Sequence, residues 1–173
     1  CFQIIGQPAV FFRREAILKV GSLDINLHYL LDHQLWMRIA SEGEICHINE
    51  TWSAARYHAG AKNRAKAAEF GREAFRILDW SRNQPELAEA ISSVERRAHA
   101  SAFRVDARYL LDGGQPWNSL VSWGRSLFLH PPTAMARLNL PASALLYLIG
   151  LSRLRDLFLQ HRRNWLCERK FPK

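Results

Sequence analysis

A mixed α/β segment over residues 1–60, followed by an all-helical region over residues 61–173, is the fold class that the sequence predicts, helix-dominated overall. Three observations predict it. Short apolar runs bounded by Gly, Pro and Asn crowd the first 60 residues. Beyond Gly60, Ala, Glu, Lys and Arg dominate and apolar residues recur at steps of three and four. Proline and glycine then punctuate the chain at intervals that suit helices rather than strands.

Taken in order, residues 9–12 (Ala-Val-Phe-Phe) follow the turn-forming Gly6-Gln7-Pro8 and are expected to form a short buried strand. Residues 14–20 make two helical turns stopped by Gly21. Residues 31–42 are the clearest early helix, with Leu31, Leu35 and Ile39 on one stripe and Gly43 just past its end. Two more strands are expected at 44–48 and 51–58, joined through Asn49-Glu50. The later region predicts helices at about 62–82, 86–112, 116–129 and 142–163. Of these, 86–112 carries Leu87, Ile91, Val94, Ala98, Ala102, Val105 and Tyr109 on one face and ends at Gly113-Gly114. The pair around that Gly-Gly resembles one tetratricopeptide-type unit, but no second copy follows; a helical hairpin packed on the preceding segment is the simpler expectation.

With 173 residues, 48% of them hydrophobic and 23% charged, the composition excludes intrinsic disorder, and three cysteines exclude a disulfide scaffold. No run of about 18 apolar residues suggests a membrane span. The chain starts at Cys1 without a signal-peptide pattern and reads as a piece of something longer. Cys1, Cys46 and Cys167 are odd in number and widely spaced, which predicts reduced thiols and a cytoplasmic setting. The net charge of +8 is concentrated late: residues 113–173 hold 9 basic and 2 acidic side chains, whereas residues 1–60 hold 5 and 6. That excess predicts attraction to an anionic surface.

The chemistry-bearing stretch runs from Gly6 to His58. It contains Q-P-x-x-F-F-R-R, then L-x-x-D-x-x-L-W-x-R at a helix start, then R-x-H followed by small and polar residues. These three blocks, in this order, resemble the second half of the catalytic domain of a family-2 inverting glycosyltransferase with the GT-A fold. The resemblance covers about 55 residues. It implies transfer of a sugar from a nucleotide-sugar donor to a glycan or lipid-linked acceptor hydroxyl, as in polysaccharide biosynthesis. It also implies a divalent metal, Mg or Mn.

The resemblance makes Asp32 the general base. A hydroxyl is a poor nucleophile until a nearby carboxylate takes its proton during attack on the anomeric carbon. An aspartate at this place also suits a helix N-cap, which stabilises by about 1 kcal/mol. Leu31 and Gln34 stand where such enzymes often carry further acids. Arg56 and His58 are two apart, so an extended backbone presents both to one face. The resemblance assigns that face, with Lys62, to the donor pyrophosphate, and His58 to the metal alongside ligands upstream of Cys1. Gln7, Arg13 and Trp36 are assigned to the acceptor or sugar pocket. Arg38 is expected, apart from the resemblance, to neutralise an acidic neighbour or to brace the helix. Phe11, Phe12 and Trp36 also suit simple burial in a core.

The family's donor-binding half and its D-x-D motif have no counterpart in the sequence, so the resemblance implies a fragment inactive alone. His28, His33, Cys46, His47 and His58 match no usual zinc spacing, and no phosphate-binding Gly-rich loop or G-x-S-x-G elbow exists. Residues 140–173 mix an apolar helix with many arginines and lysines, a composition suited to a solvated packing helix or to the inner face of an anionic membrane. Nucleic acid is disfavoured, since no reading motif accompanies the charge. The rival function is a non-catalytic helical interaction or membrane-surface module built on residues 61–173.

Overall fold

The computed structural model describes residues 5, 7–50, 53, 66–154, 156–157 and 160–161, and every regular element among them is helical. A 3-10 turn at Gln7–Ala9 precedes α1 (Arg14–Val20) and α2 (Leu31–Glu42). The later region forms α3 (Ala67–Arg82), α4 (Pro85–Ser93), α5 (Glu95–Asp112), α6 (Pro116–Leu129), α7 (Pro131–Met135) and α8 (Asn139–Leu148). Residues 152–154, 156–157 and 160–161 are helical as well. No helix among the described residues is long and apolar enough to cross a membrane.

The α/β part of the expected fold class is therefore corrected: no strand occurs among the described residues, and a partial GT-A sheet is not what residues 7–50 form. Residues 9–12 leave the 3-10 turn into irregular backbone, with Phe11 74% and Phe12 46% exposed rather than buried. Residues 44–48 are irregular, and Ile45 and Ile48 face solvent. The physical reason is that a short run gains strand structure only by pairing with a neighbour, and neither run has one among the described residues. Residues 51–58 lie outside the described residues except Ser53.

Where punctuation is strong the helices stop at it. Gly21 closes α1 at φ +83°, a left-handed conformation that costs a side chain dearly, and its N–H donates to the Ile17 carbonyl at 3.0 Å. Two expected helices are interrupted. The 86–112 stretch breaks at Val94 (φ −123°), because the hydroxyls of Ser92 and Ser93 donate to the carbonyls of Glu89 and Ala90 and compete with helix continuation. The 142–163 stretch starts earlier, at Asn139, and breaks after Leu148, where Gly150 takes φ +77°.

The core is built between α3 and α5. Phe70, Ala74 and Ile77 pack on Ala102, Val105 and Tyr109, and Leu27 and Leu30 from the approach to α2 complete the cluster. Phe70 stacks on Tyr109 with ring centroids 4.0 Å apart. Gly71 permits this approach, since a Cβ there would collide with the Asp106 carboxylate. The α5–α6 hairpin is closed differently, by a seam of buried small residues. Ser119 and Ser126 of α6 donate to the carbonyls of Ala107 and Ala100 at 2.6 and 2.7 Å, and Ser122 donates to Asp106. A second small cluster joins Leu120 and Trp123 of α6 to Leu140 and Ala144 of α8.

Candidate functional site

Asp32 stands in the first turn of α2, one residue inside its start; Leu30 occupies the cap position and gives no side-chain cap. The Asp32 carboxylate is 21% exposed, and its Oδ1 accepts both the backbone N–H of His33 (2.8 Å) and the His33 ring Nδ1 (2.9 Å). The His33 ring meets Asp32 through Nδ1, and its Nε2 is buried without a partner among the described residues. Asp32 thus serves the helix by taking an otherwise unpaired N–H, yet remains reachable from solvent. Its charge extends to the core: burial chiefly, then Asp112 and Asp32, push the Tyr109 hydroxyl above its ordinary value, against the pull of Arg108.

Two contacts distant in sequence set where α2 begins. Glu73 of α3 is buried and accepts the N–H groups of His28 (2.7 Å), Tyr29 (2.7 Å) and Leu30 (2.8 Å), so an acid from another helix seats the approach to Asp32. Arg38, on the far half of α2, donates to the carbonyls of Val20 and Ser22, both at 2.7 Å, and ties α1's end to α2. Of the two roles expected of Arg38, neutralising an acidic neighbour or bracing the helix, these bonds are of the second kind. Glu73 is the residue that sequence reasoning misses. Its signal is an acid set among Phe70, Ala74 and Ile77 on the inward stripe of α3.

The face of α2 that turns inward is unusual. Of the five buried side-chain polar atoms that lack a hydrogen-bond partner among the described residues, four sit on α2: His33 Nε2, Gln34 Oε1, Trp36 Nε1 and Arg38 Nε. A cavity of about 220 Å³ lies beside this helix, lined by His33, Trp36 and Met37 with Leu78 of α3, Ile91 of α4 and Ala98 of α5. A second, of about 240 Å³, meets Gln34 together with Asp24, Arg76 and Trp80. Buried polar groups are almost always paired in folded proteins, so this concentration sets α2 apart from the other described helices.

The other expected site residues separate into two sets. Trp36 packs its ring 5.8 Å from that of Phe12, joining the first motif block to the second. Gln7 opens the 3-10 turn, where its carbonyl accepts from Val10, and Arg13 precedes α1. Both are exposed, and no hydrogen bond or ion pair joins either to Asp32. Arg56, His58 and Lys62 lie outside the described residues. Among the described residues no group of three or more His, Cys, Asp or Glu side chains is placed to hold a metal ion. Asp32 and His33 turn toward each other rather than toward a shared third point, so this pair by itself does not fit one. Cys46 is an exposed free thiol, and Cys1 and Cys167 are not among the described residues. No protein-family model, curated protein or solved structure matches the chain.

Proposed function

We propose that the chain carries the acceptor-activating element of an inverting sugar transferase, with Asp32 taking the proton of an acceptor hydroxyl as it attacks the anomeric carbon of a nucleotide sugar. The reading draws on motif residues and on α2, and on no sheet. The observation that carries it is the character of α2 itself: a partly exposed carboxylate, steadied by His33 through Oδ1, on the helix that holds four of the five unpaired buried polar atoms among the described residues. Arg56, His58 and Lys62 are proposed to meet the donor pyrophosphate, His58 with a divalent ion. Trp36, with Gln7 and Arg13, is proposed to line the acceptor or sugar pocket.

In the full protein, supplied with a panel of nucleotide sugars and glycan or lipid-linked acceptors, Asp32→Asn should cut transfer by about 10²–10⁴-fold while circular dichroism stays that of the parent. Turnover near the parental rate in Asp32→Asn would defeat the base assignment. The helical architecture of the described residues favours a second reading, a non-catalytic interaction module in which Asp32 serves α2 alone. On that reading no panel member is turned over by the parent protein.

A further inference from the structure

Helix α6 is amphipathic in an inverted sense. Its inward seam is serine (Ser119, Ser122, Ser126), while Trp117, Val121 and Phe128 point outward, Trp117 66% and Phe128 86% exposed. Their spacing of four and then seven places all three on one face. Neighbouring α8, joined to α6 through Leu120, Trp123, Leu140 and Ala144, exposes Leu145 and Leu148, with Ile149 exposed at its C-terminal cap. Two adjacent helices therefore each leave an apolar face in water, where folded monomers rarely leave contiguous apolar surface.

The surroundings of these faces are basic. Arg125 lies on α6, Arg137 in the turn before α8 and Arg153 just beyond it, all exposed. Arg137 stands near enough to Arg104 of α5 to add to the burial that lowers that guanidinium's pKa. Among the described residues of 113–173 the charged side chains are Arg125, Arg137 and Arg153 and one acid, Asp156.

We infer that the outward faces of α6 and α8 form a docking surface for an anionic lipid membrane. Apolar side chains enter the interface between headgroups and acyl chains, and the arginines meet lipid phosphates. A second copy of the chain fits less well, because a two-fold contact through this surface would bring the same arginines face to face. The lengths agree: α6 is 14 residues, suited to lying in the interface and too short to span it. This surface is remote from the chemistry proposed for Asp32, and the inference does not depend on that reading.

The test is sedimentation of the protein with vesicles of phosphatidylcholine alone or mixed with phosphatidylglycerol. Binding to the mixed vesicles, weakening with salt, is expected. Trp117→Ser with Phe128→Ser should weaken it more than tenfold. Arg125→Gln with Arg137→Gln should lower it by about fivefold per arginine and abolish the preference for anionic lipid. All four positions are exposed, so circular dichroism should be unchanged. Equal sedimentation with both vesicle types, or a Trp117→Ser/Phe128→Ser protein that binds like the parent, would overturn the inference. So would a dimer in sedimentation equilibrium, without vesicles, that the same pair of substitutions dissolves; the surface would then be a contact between copies. An Asp32→Asn protein should bind vesicles as the parent does, which keeps the two proposals separable.

Discussion

Helices α2 and α6 both bury polar side chains, and they do so in opposite ways. On α6 three serines enter the interior, and each hydroxyl reaches an acceptor on α5. On α2 the buried groups are larger, and His33, Gln34, Trp36 and Arg38 each keep an atom with no partner among the described residues. A small hydroxyl can bond a neighbouring helix carbonyl without opening the packing, whereas an imidazole or indole needs a partner of its own at a fixed place. The three α6 serines are therefore all satisfied, and of the α5–α6 hairpin only Ser101 Oγ on α5 joins the four α2 atoms in lacking a partner among the described residues. Helix α2 is also seated from outside, by Glu73.

The sharpest way to test that contrast is to remove the seat. Glu73→Ala leaves three N–H groups unpaired in a buried setting, and a loss of about 3 kcal/mol or more is expected, a large share of a domain's stability. Urea denaturation measures the loss. Hydrogen exchange should show residues 28–35 deprotected while α5 and α6 keep their protection; uniform deprotection would mean the two regions are one cooperative unit. Next in size, Gly71→Ala drives a methyl group into the Asp106 side chain, whose Cβ lies 2.9 Å from the added atom. The strain, about 1–3 kcal/mol, outweighs the gain in helix propensity of about 1 kcal/mol, so the melting temperature should fall.

Smaller still is the effect of Ser119→Ala, expected to cost about 1 kcal/mol or less because the Ala107 carbonyl keeps its own helix. A loss as large as that of Glu73→Ala would erase the contrast. Least is Asp106→Asn. Burial pushes the Asp106 carboxyl above its ordinary value of 3.8, outweighing the downward pulls of the Ser122 hydrogen bond and the Arg125 charge. The folded chain thus holds this proton more tightly than the unfolded one. Its contribution is full below pH 3.8 and is lost as pH rises through the folded value. Asparagine is neutral throughout and still accepts from Ser122, so the variant should match or slightly exceed the parent at pH 7 and lose that advantage on acidification. Denaturation at pH 7 and pH 4 checks the sign.

Much of the helical architecture is legible because punctuation and periodicity are local properties. Gly21 and Gly43 close α1 and α2, and Pro116 and Pro131 bracket α6. The misread places are those where local pattern is ambiguous. A short stretch holding three or four apolar residues between turn formers looks like a strand whether or not a partner strand exists, as residues 9–12 and 44–48 illustrate. The break at Val94 is hidden because the apolar step from Ile91 to Val94 to Ala98 runs straight through it. Asp32 could be placed at the start of a helix, but not its tie to His33, nor Glu73, whose partners lie 43–45 residues away. Spacing along a chain says little about contacts closed across it.

The break at Val94 also changes what the chain can accommodate. Arg82, at the end of α3, forms an ion pair with Glu95, at the start of α5, so residues 83–94 depart from and return to nearly the same point, touching the cavity beside α2 through Ile91. The detour, α4, buries none of its own residues. An excursion anchored at both ends and resting lightly on its neighbours is the natural place to graft a loop, a tag or an entire inserted module, since lengthening it adds only a slowly growing entropy of closure.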